Sequence, residues 1–389
     1  MHADGFIQTV FLIFSGAALI ATLALYARQA LPVAYIVLGV ILGPWGTGLI
    51  SDGAVLSGMA EIGIIFLLFL LGLNLEPREL MRMLREAVAV TVVTCLVFWG
   101  FGFGVALLFG LEALQAALIG AAMMFSSTIL GLKLLPTSTL HHKRLGEIII
   151  AILLLQDIIA IAVLLFIQGA AGETNPWLEI ATLLVTAPLL FVAALYTCRY
   201  GLMRLMQRFD RIHEYIFLLA IGWCLAIAVL AEALGMSLEI GAFLAGVAIA
   251  TSPISRFIAE MLKPLRDFFL IVFFCALGAG FDMSILGDIA LPAITLAAGL
   301  LVLKPLLFSL LFRREGERLP VAREIGIRLG QVSEFSLLVA LVGLNSGLMS
   351  PQASYIIQAT TILTFVVSTY WIVLRLPTPV AVSERLRQD

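Results

Sequence analysis

Apolar residues in this chain fall in runs of about 20, the length that crosses a bilayer core, with short polar stretches between them. The runs predict thirteen helices, at roughly 6–27, 32–43, 54–73, 86–110, 112–134, 145–168, 177–198, 212–232, 236–251, 264–281, 288–312, 322–346 and 351–375. The second is too short to cross straight unless its Gly43-Pro44 end is irregular. The expected fold class is an all-α polytopic membrane protein.

Lysine and arginine orient this map. Arg28, then Arg78/Arg82/Arg85, Lys133/Lys143/Arg144, Arg199/Arg204/Arg208/Arg211, Arg256/Lys263/Arg266, Arg313/Arg314/Arg318/Arg323 and Arg375/Arg385/Arg387 occupy every second connection. The intervening connections hold neither residue, so the positive-inside rule predicts an outside N-terminus and a cytoplasmic C-terminus. Away from the helix ends, Lys304 and Arg328 are the basic residues inside predicted helices.

Predicted helices one to six line up with eight to thirteen at a nearly constant offset of about 205 residues, and one extra helix between them makes the two orientations opposite. An inverted repeat is expected: residues 1–168 as its first half, 169–205 as linker helix seven, 206–376 as its second half and 377–389 as a cytoplasmic tail. Such repeats place a substrate site near the midplane and let it face either side in turn.

Composition agrees with this class. Hydrophobic residues make up 62% and charged residues 12%, far from the roughly 45 to 50% apolar usage of soluble domains. A formal net charge of -2, with the basic residues scattered, argues against nucleic acid as a partner. Cys95, Cys198, Cys224 and Cys275 lie in or beside apolar runs with no metal-ligand spacing and read as small buried hydrophobes. No cofactor is implied. The N-terminus lacks a positive n-region, so the first run is expected to be an uncleaved helix.

Against this background Asp157 stands out, in the middle of the sixth run and next to Gln156. A carboxylate at bilayer depth is costly unless it binds a cation or a proton, so a functional site is the default reading. Ser126, Ser127 and Thr128 interrupt the fifth run, and Gln331, Ser333 and Glu334 interrupt the twelfth, about 205 residues on. Polar clusters at matching positions of two repeats point to discontinuous helices around a cation site. Small hydroxyls that bond back to their own helix are the structural alternative. Lys304 is too far from Arg313 to snorkel comfortably, and a role near Asp157 is expected. Glu334 acts at the site or in a salt bridge with Arg328 or Lys304. Glu61 either supports the site or is solvated near the outer end of the third helix. His141-His142 reads as a solvated loop.

Taken together, Gln156-Asp157, the Ser126-Ser127-Thr128 run, Gly241 to Gly246, Phe66 to Leu73 and Gly330-Gln331-Val332-Ser333-Glu334-Phe335 resemble the membrane domain of the Kef-type potassium efflux transporters, of the monovalent cation:proton antiporter superfamily. The resemblance covers essentially the whole chain. It implies that Asp157 carries the ion and the proton, that the fifth and twelfth helices are broken and cross, and that a transporting core moves against a separate dimer-forming bundle. It further implies a homodimer in a bacterial inner membrane, potassium as the cation, and a cytosolic regulatory domain or subunit. Asn74 departs from the family's usual glutamate, and no strand followed by a Gly-rich turn occurs within these residues.

The expected function is monovalent cation/proton antiport with Asp157 holding K⁺ or Na⁺ and H⁺ in alternation. The neutral Gln156 leaves one titratable group in the pair, so one-for-one electroneutral exchange is expected. A gated potassium channel with Asp157 as its selectivity charge, a Na⁺/H⁺ exchanger, and an ion sensor that moves nothing remain as rivals. An intramembrane aspartyl protease would need a second carboxylate sharing a proton.

Overall fold

A computed structural model describes residues 3–50, 53–74, 77–134, 144–170, 176–209, 211–252 and 254–378. His141, His142, Lys143, Arg385 and Arg387 lie outside the described residues. Each predicted span coincides with a helix or with a broken pair of helices, and no strand occurs among the described residues.

The helices are α1 (Ala3–Tyr26), α2 (Leu31–Leu42), α3 (Gly53–Asn74), α4 (Pro77–Leu108), α5 (Ala113–Met123), α6 (Thr128–Lys133), α7 (Arg144–Ala170) and α8 (Pro176–Thr197). A π turn (Cys198–Leu202) leads into α9 (Met203–Arg208). There follow α10 (His213–Ala233), α11 (Leu238–Ala250), α12 (Ser255–Ala279), α13 (Leu286–Arg314), α14 (Leu319–Arg328), α15 (Glu334–Asn345) and α16 (Pro351–Arg375). Seven of these stretches are long and apolar enough to cross a membrane, and five shorter helices are apolar.

Two helix starts differ from the sequence expectation. The helix expected over 86–110 starts at Pro77, and that expected over 264–281 starts at Ser255. Arg78, Arg82, Arg85, Arg256, Lys263 and Arg266 therefore stand on helical backbone, because a polar turn continues a helix that an apolar-run criterion truncates. The spans over 112–134 and 322–346 are each interrupted, at residues 124–127 and 329–333.

The short second helix ends as its Gly43-Pro44 pair requires. Past Leu42 the chain folds into an irregular turn in which Thr47 donates through its amide (2.7 Å) and its hydroxyl (2.8 Å) to the Ile41 carbonyl. The Ile50 amide reaches Leu42 (2.9 Å), so the last carbonyls of the helix are satisfied without a further turn.

The chain divides into two units, each drawing on both halves of the sequence. One comprises Met1–Ile20, Tyr35–Leu80 and Gln168–Phe281, and the other Ala21–Ala34, Met81–Ile167 and Asp282–Asp389. In the first, α3 packs on α11 and α12. Its closest approach is at two glycines: a Cβ on Gly246 would stand 2.1 Å from the Phe69 carbonyl oxygen, and one on Gly72 would stand 2.4 Å from that of Phe243. The glycine motifs of these two helices thus serve backbone contact. A cluster of Ile13, Ala17, Leu38, Leu42, Val272 and Cys275 fills the same unit. All four cysteines are buried and free.

In the second unit, α13 packs on α14 and α16, and α15 packs on α5 and α16. Leu130 and Leu134 of the α6 region pack with Phe365, Ile372 and Val373 of α16. The last helix is unusual for its buried hydroxyls: Ser354, Thr360, Thr361, Thr364, Ser368 and Thr369 are all enclosed.

Candidate functional site: two broken helices

Both interruptions lie in the second unit, and both are built alike. The chain leaves the helix after Met123, runs without regular structure through Phe125, Ser126 and Ser127, and resumes helix at Thr128. Ser127 starts the new helix as its cap, its Oγ accepting from the Leu130 amide (3.1 Å). After Arg328 the chain repeats the manoeuvre and resumes at Glu334, with the Ser333 Oγ accepting from the Phe335 amide (3.1 Å).

An interruption strands carbonyls at and beyond the end of the first half-helix, and here several find side-chain donors. Ser336 Oγ donates to the Ala122 carbonyl (2.5 Å), and Gln156 Nε2 donates to Met124 (3.4 Å). Ser126 Oγ crosses to the other interruption and donates to Leu329 (2.9 Å), while Gln331 Nε2 donates to Arg328 (2.9 Å) and to Ser127 (3.4 Å). The two breaks therefore abut, each supplying donors for the other.

Lys304 sits between them, fully buried. Its ammonium donates to the Phe125 carbonyl (2.5 Å), the Gln331 carbonyl (3.1 Å) and Ser126 Oγ (3.4 Å), and it lies over the Phe98 ring at 5.2 Å. A single ammonium thus gathers one carbonyl from each break. The sequence expects a role for Lys304 near Asp157; its bonds go to the two breaks, whose carbonyls offer acceptors. Arg328 is likewise committed: it pairs with Glu324 (2.8 Å) and donates to the carbonyls of Leu134 (2.8 Å) and Pro377 (2.7 Å). The sequence offers Glu334 a salt bridge with Arg328 or Lys304 as one alternative; the structure pairs Arg328 with Glu324, one helical turn away on the same helix.

Asp157 lies on α7 with 2% exposure. Thr128 Oγ1 stands 3.4 Å from each of its carboxylate oxygens, a long and shared contact. Its neighbour Gln156 turns to the break, where Oε1 accepts from the Ser126 amide (2.8 Å). Glu334 is buried at the start of α15, the helix that resumes after the second break. The sequence leaves one titratable group in the Gln156-Asp157 pair and gives Glu334 either a place at the site or a salt bridge; the structure puts Glu334 at the first position after the second break.

Of the residues singled out from sequence, the structure gathers Ser126, Ser127, Thr128, Gln156, Asp157, Lys304, Gln331, Ser333 and Glu334 in one place. Glu61 stands exposed on α3, in the other unit. Sequence reasoning passed over Thr364 and Ser368 of α16, which bond to the second break: the Val332 amide donates to Thr364 Oγ1 (3.1 Å) and Ser368 Oγ donates to Gln331 Oε1 (2.9 Å). The signal available was a helix with hydroxyls at three- and four-residue spacing.

Residues 11–376 match the family model "Sodium/hydrogen exchanger, transmembrane". The chain belongs to this exchanger family. Among relatives, the glutathione-regulated potassium-efflux system protein KefC of Klebsiella pneumoniae is 32% identical over 339 residues, 84% of this chain and 54% of that protein. The chain thus spans about half the length of the KefC proteins it matches. The iron transporter MagA of Paramagnetospirillum magneticum is 28% identical over 356 residues, 89% of this chain and 80% of that protein. Among solved structures, the sodium proton antiporter MjNhaP1 from Methanocaldococcus jannaschii superposes with a TM-score of 0.71 at 20% identity, covering 94% of this chain and 95% of that one. The chain accordingly shares the fold of that antiporter and is a member of a transporter family.

Proposed function

We propose that the protein exchanges a monovalent cation for a proton across the membrane, with Asp157 holding each in turn. The observation that carries this is a buried carboxylate beside two abutting helix breaks, in an exchanger-family chain. Bound proton and bound cation neutralise the same group, so they compete for it. If the assembly crosses its barrier easily only when Asp157 is neutralised, each cycle must trade one ion for the other.

The geometry supports a division of labour among the residues expected to bind the ion. Thr128 offers its hydroxyl beside the Asp157 carboxylate, whereas Ser126, Ser127 and Gln156 are spent on backbone. Asp157 and Thr128 are therefore the proposed ligands of the cation, with Gln156, Ser126 and Ser127 holding the first break and Gln331 and Ser333 the second. Potassium is the proposed cation, in line with the KefC relatives, and one-for-one exchange the proposed stoichiometry. The matched capping serines, Ser127 and Ser333, support the inverted repeat. A homodimer in the bacterial inner membrane, with an outside N-terminus and basic inner loops, completes the proposal; a cytosolic regulatory partner is proposed from the length of the KefC proteins.

Dye-reported proton movement in proteoliposomes, with K⁺, Na⁺, Rb⁺ and Li⁺ offered in turn against an imposed proton gradient, tests it. Saturable, cation-dependent proton release with K⁺ preferred is expected. Cation flux that neither saturates nor moves protons would favour a channel.

A further inference from the structure

The buried hydroxyls of α16 are not spread evenly: two of them, one turn apart, address the second break. Thr364 Oγ1 accepts from the Val332 amide at 3.1 Å while donating to its own helix at the Thr361 carbonyl (2.9 Å), so both capacities of the hydroxyl are used in a fixed direction. Ser368 Oγ donates to Gln331 Oε1 at 2.9 Å, which turns the Gln331 amide so that its Nε2 faces the Arg328 and Ser127 carbonyls. Thr364, Ser368 and Gln331 are all enclosed, and water is not at hand to replace a lost partner.

The first break has a counterpart to this arrangement. There the acceptor for the non-helical segment comes from Gln156, on the helix that follows, and the bond goes to the Ser126 amide. In both repeats the helix after the break thus reaches back to one amide of the non-helical segment. In the first it carries Asp157 on the adjacent residue; in the last it carries no acid, and the charge stands on the break itself, at Glu334.

We infer that Thr364 and Ser368 are positioning residues for cation binding: they fix the peptides of Gln331 to Ser333, and through them the place where α15 begins and the bonds that Gln331 and Ser336 make to Ser127 and Ala122 of the first break. Neither residue touches the proposed ion ligands, so their effect is on the affinity of the site and not on the ion's own contacts. The inference rests on the antiport proposal for its consequence in transport, but the backbone it concerns is measurable without transport.

The experiment pairs hydrogen–deuterium exchange over residues 329–335 and 124–128 with the half-saturating K⁺ concentration in proteoliposomes, for the wild type, Thr364→Val, Thr364→Ser and Ser368→Ala. Thr364→Val keeps the shape and removes the acceptor; it should speed exchange over 329–335, leave 124–128 unchanged, and raise half-saturation about tenfold with the maximal rate within about twofold. Thr364→Ser should behave as the wild type. Ser368→Ala should follow Thr364→Val in direction, and it carries the test should the valine variant fail to fold. Unchanged exchange over 329–335 overturns the inference. So does faster exchange with unaltered half-saturation, or an equal fall in maximal rate for the valine and serine variants. A wild type that moves no protons refutes the antiport proposal instead, and the exchange comparison then decides the positioning alone.

Discussion

Gln156 and Ser126 are joined by a hydrogen bond of 2.8 Å from the Ser126 amide to the glutamine side chain, so the residue before Asp157 holds the break that Asp157 faces. The same side chain donates to the Met124 carbonyl and bridges the two ends of the interruption. A glutamine that looks like an ion ligand in sequence acts here as a backbone clamp.

Replacing Gln156 with leucine keeps its volume and removes both bonds. An amide left buried without an acceptor costs about 1–3 kcal/mol. Gln156→Leu should therefore lower the melting temperature of the detergent-solubilised protein and reduce cation-dependent proton movement about tenfold or more. Melting curves read alongside flux separate this from loss of an ion ligand, which would spare stability.

Lys304 offers a second test. Its ammonium compensates carbonyls from both breaks, and its replacement by methionine fills the same space without the charge. Hydrogen bonds to a charged group are worth about 1.5–3 kcal/mol. Lys304→Met should lose roughly that much stability in a thermal or denaturant assay, more than Lys304→Arg loses. Equal melting of Lys304→Met and the wild type would show that the two half-helix ends need no positive charge.

Competition at one carboxylate has a kinetic signature. Where the proton is the dominant occupant, lowering the pH by one unit should raise the half-saturating cation concentration about tenfold and leave the rate at saturating cation unchanged. Initial rates over a grid of pH and K⁺ concentration check this. Independent sites for the two ions would instead change the maximal rate at constant half-saturation.

Much of the architecture was legible from the chain because a bilayer-spanning helix announces itself by length and because Ser126 to Thr128 and Gln331 to Glu334 break apolar runs at matching places. The helix starts at Pro77 and Ser255 were not, since amphipathic turns carry no long apolar run. Individual roles within the site were the harder part. Ser127 and Ser333 read equally well as ligands or as caps until the amides of Leu130 and Phe335 are seen to need them. Lys304, Thr364 and Ser368 reach the breaks from other helices, and one chain without its fold holds no record of that pairing.

Asp157→Asn in proteoliposomes bears most directly on the proposal that one buried acid serves both ions, because asparagine keeps the shape, and the contact with Thr128, while losing the charge and the proton. Folding measured by melting should stay close to the wild type, and K⁺-dependent proton movement across an imposed gradient should vanish. Retention of full, saturable exchange by the folded variant would contradict it and place the carrier elsewhere.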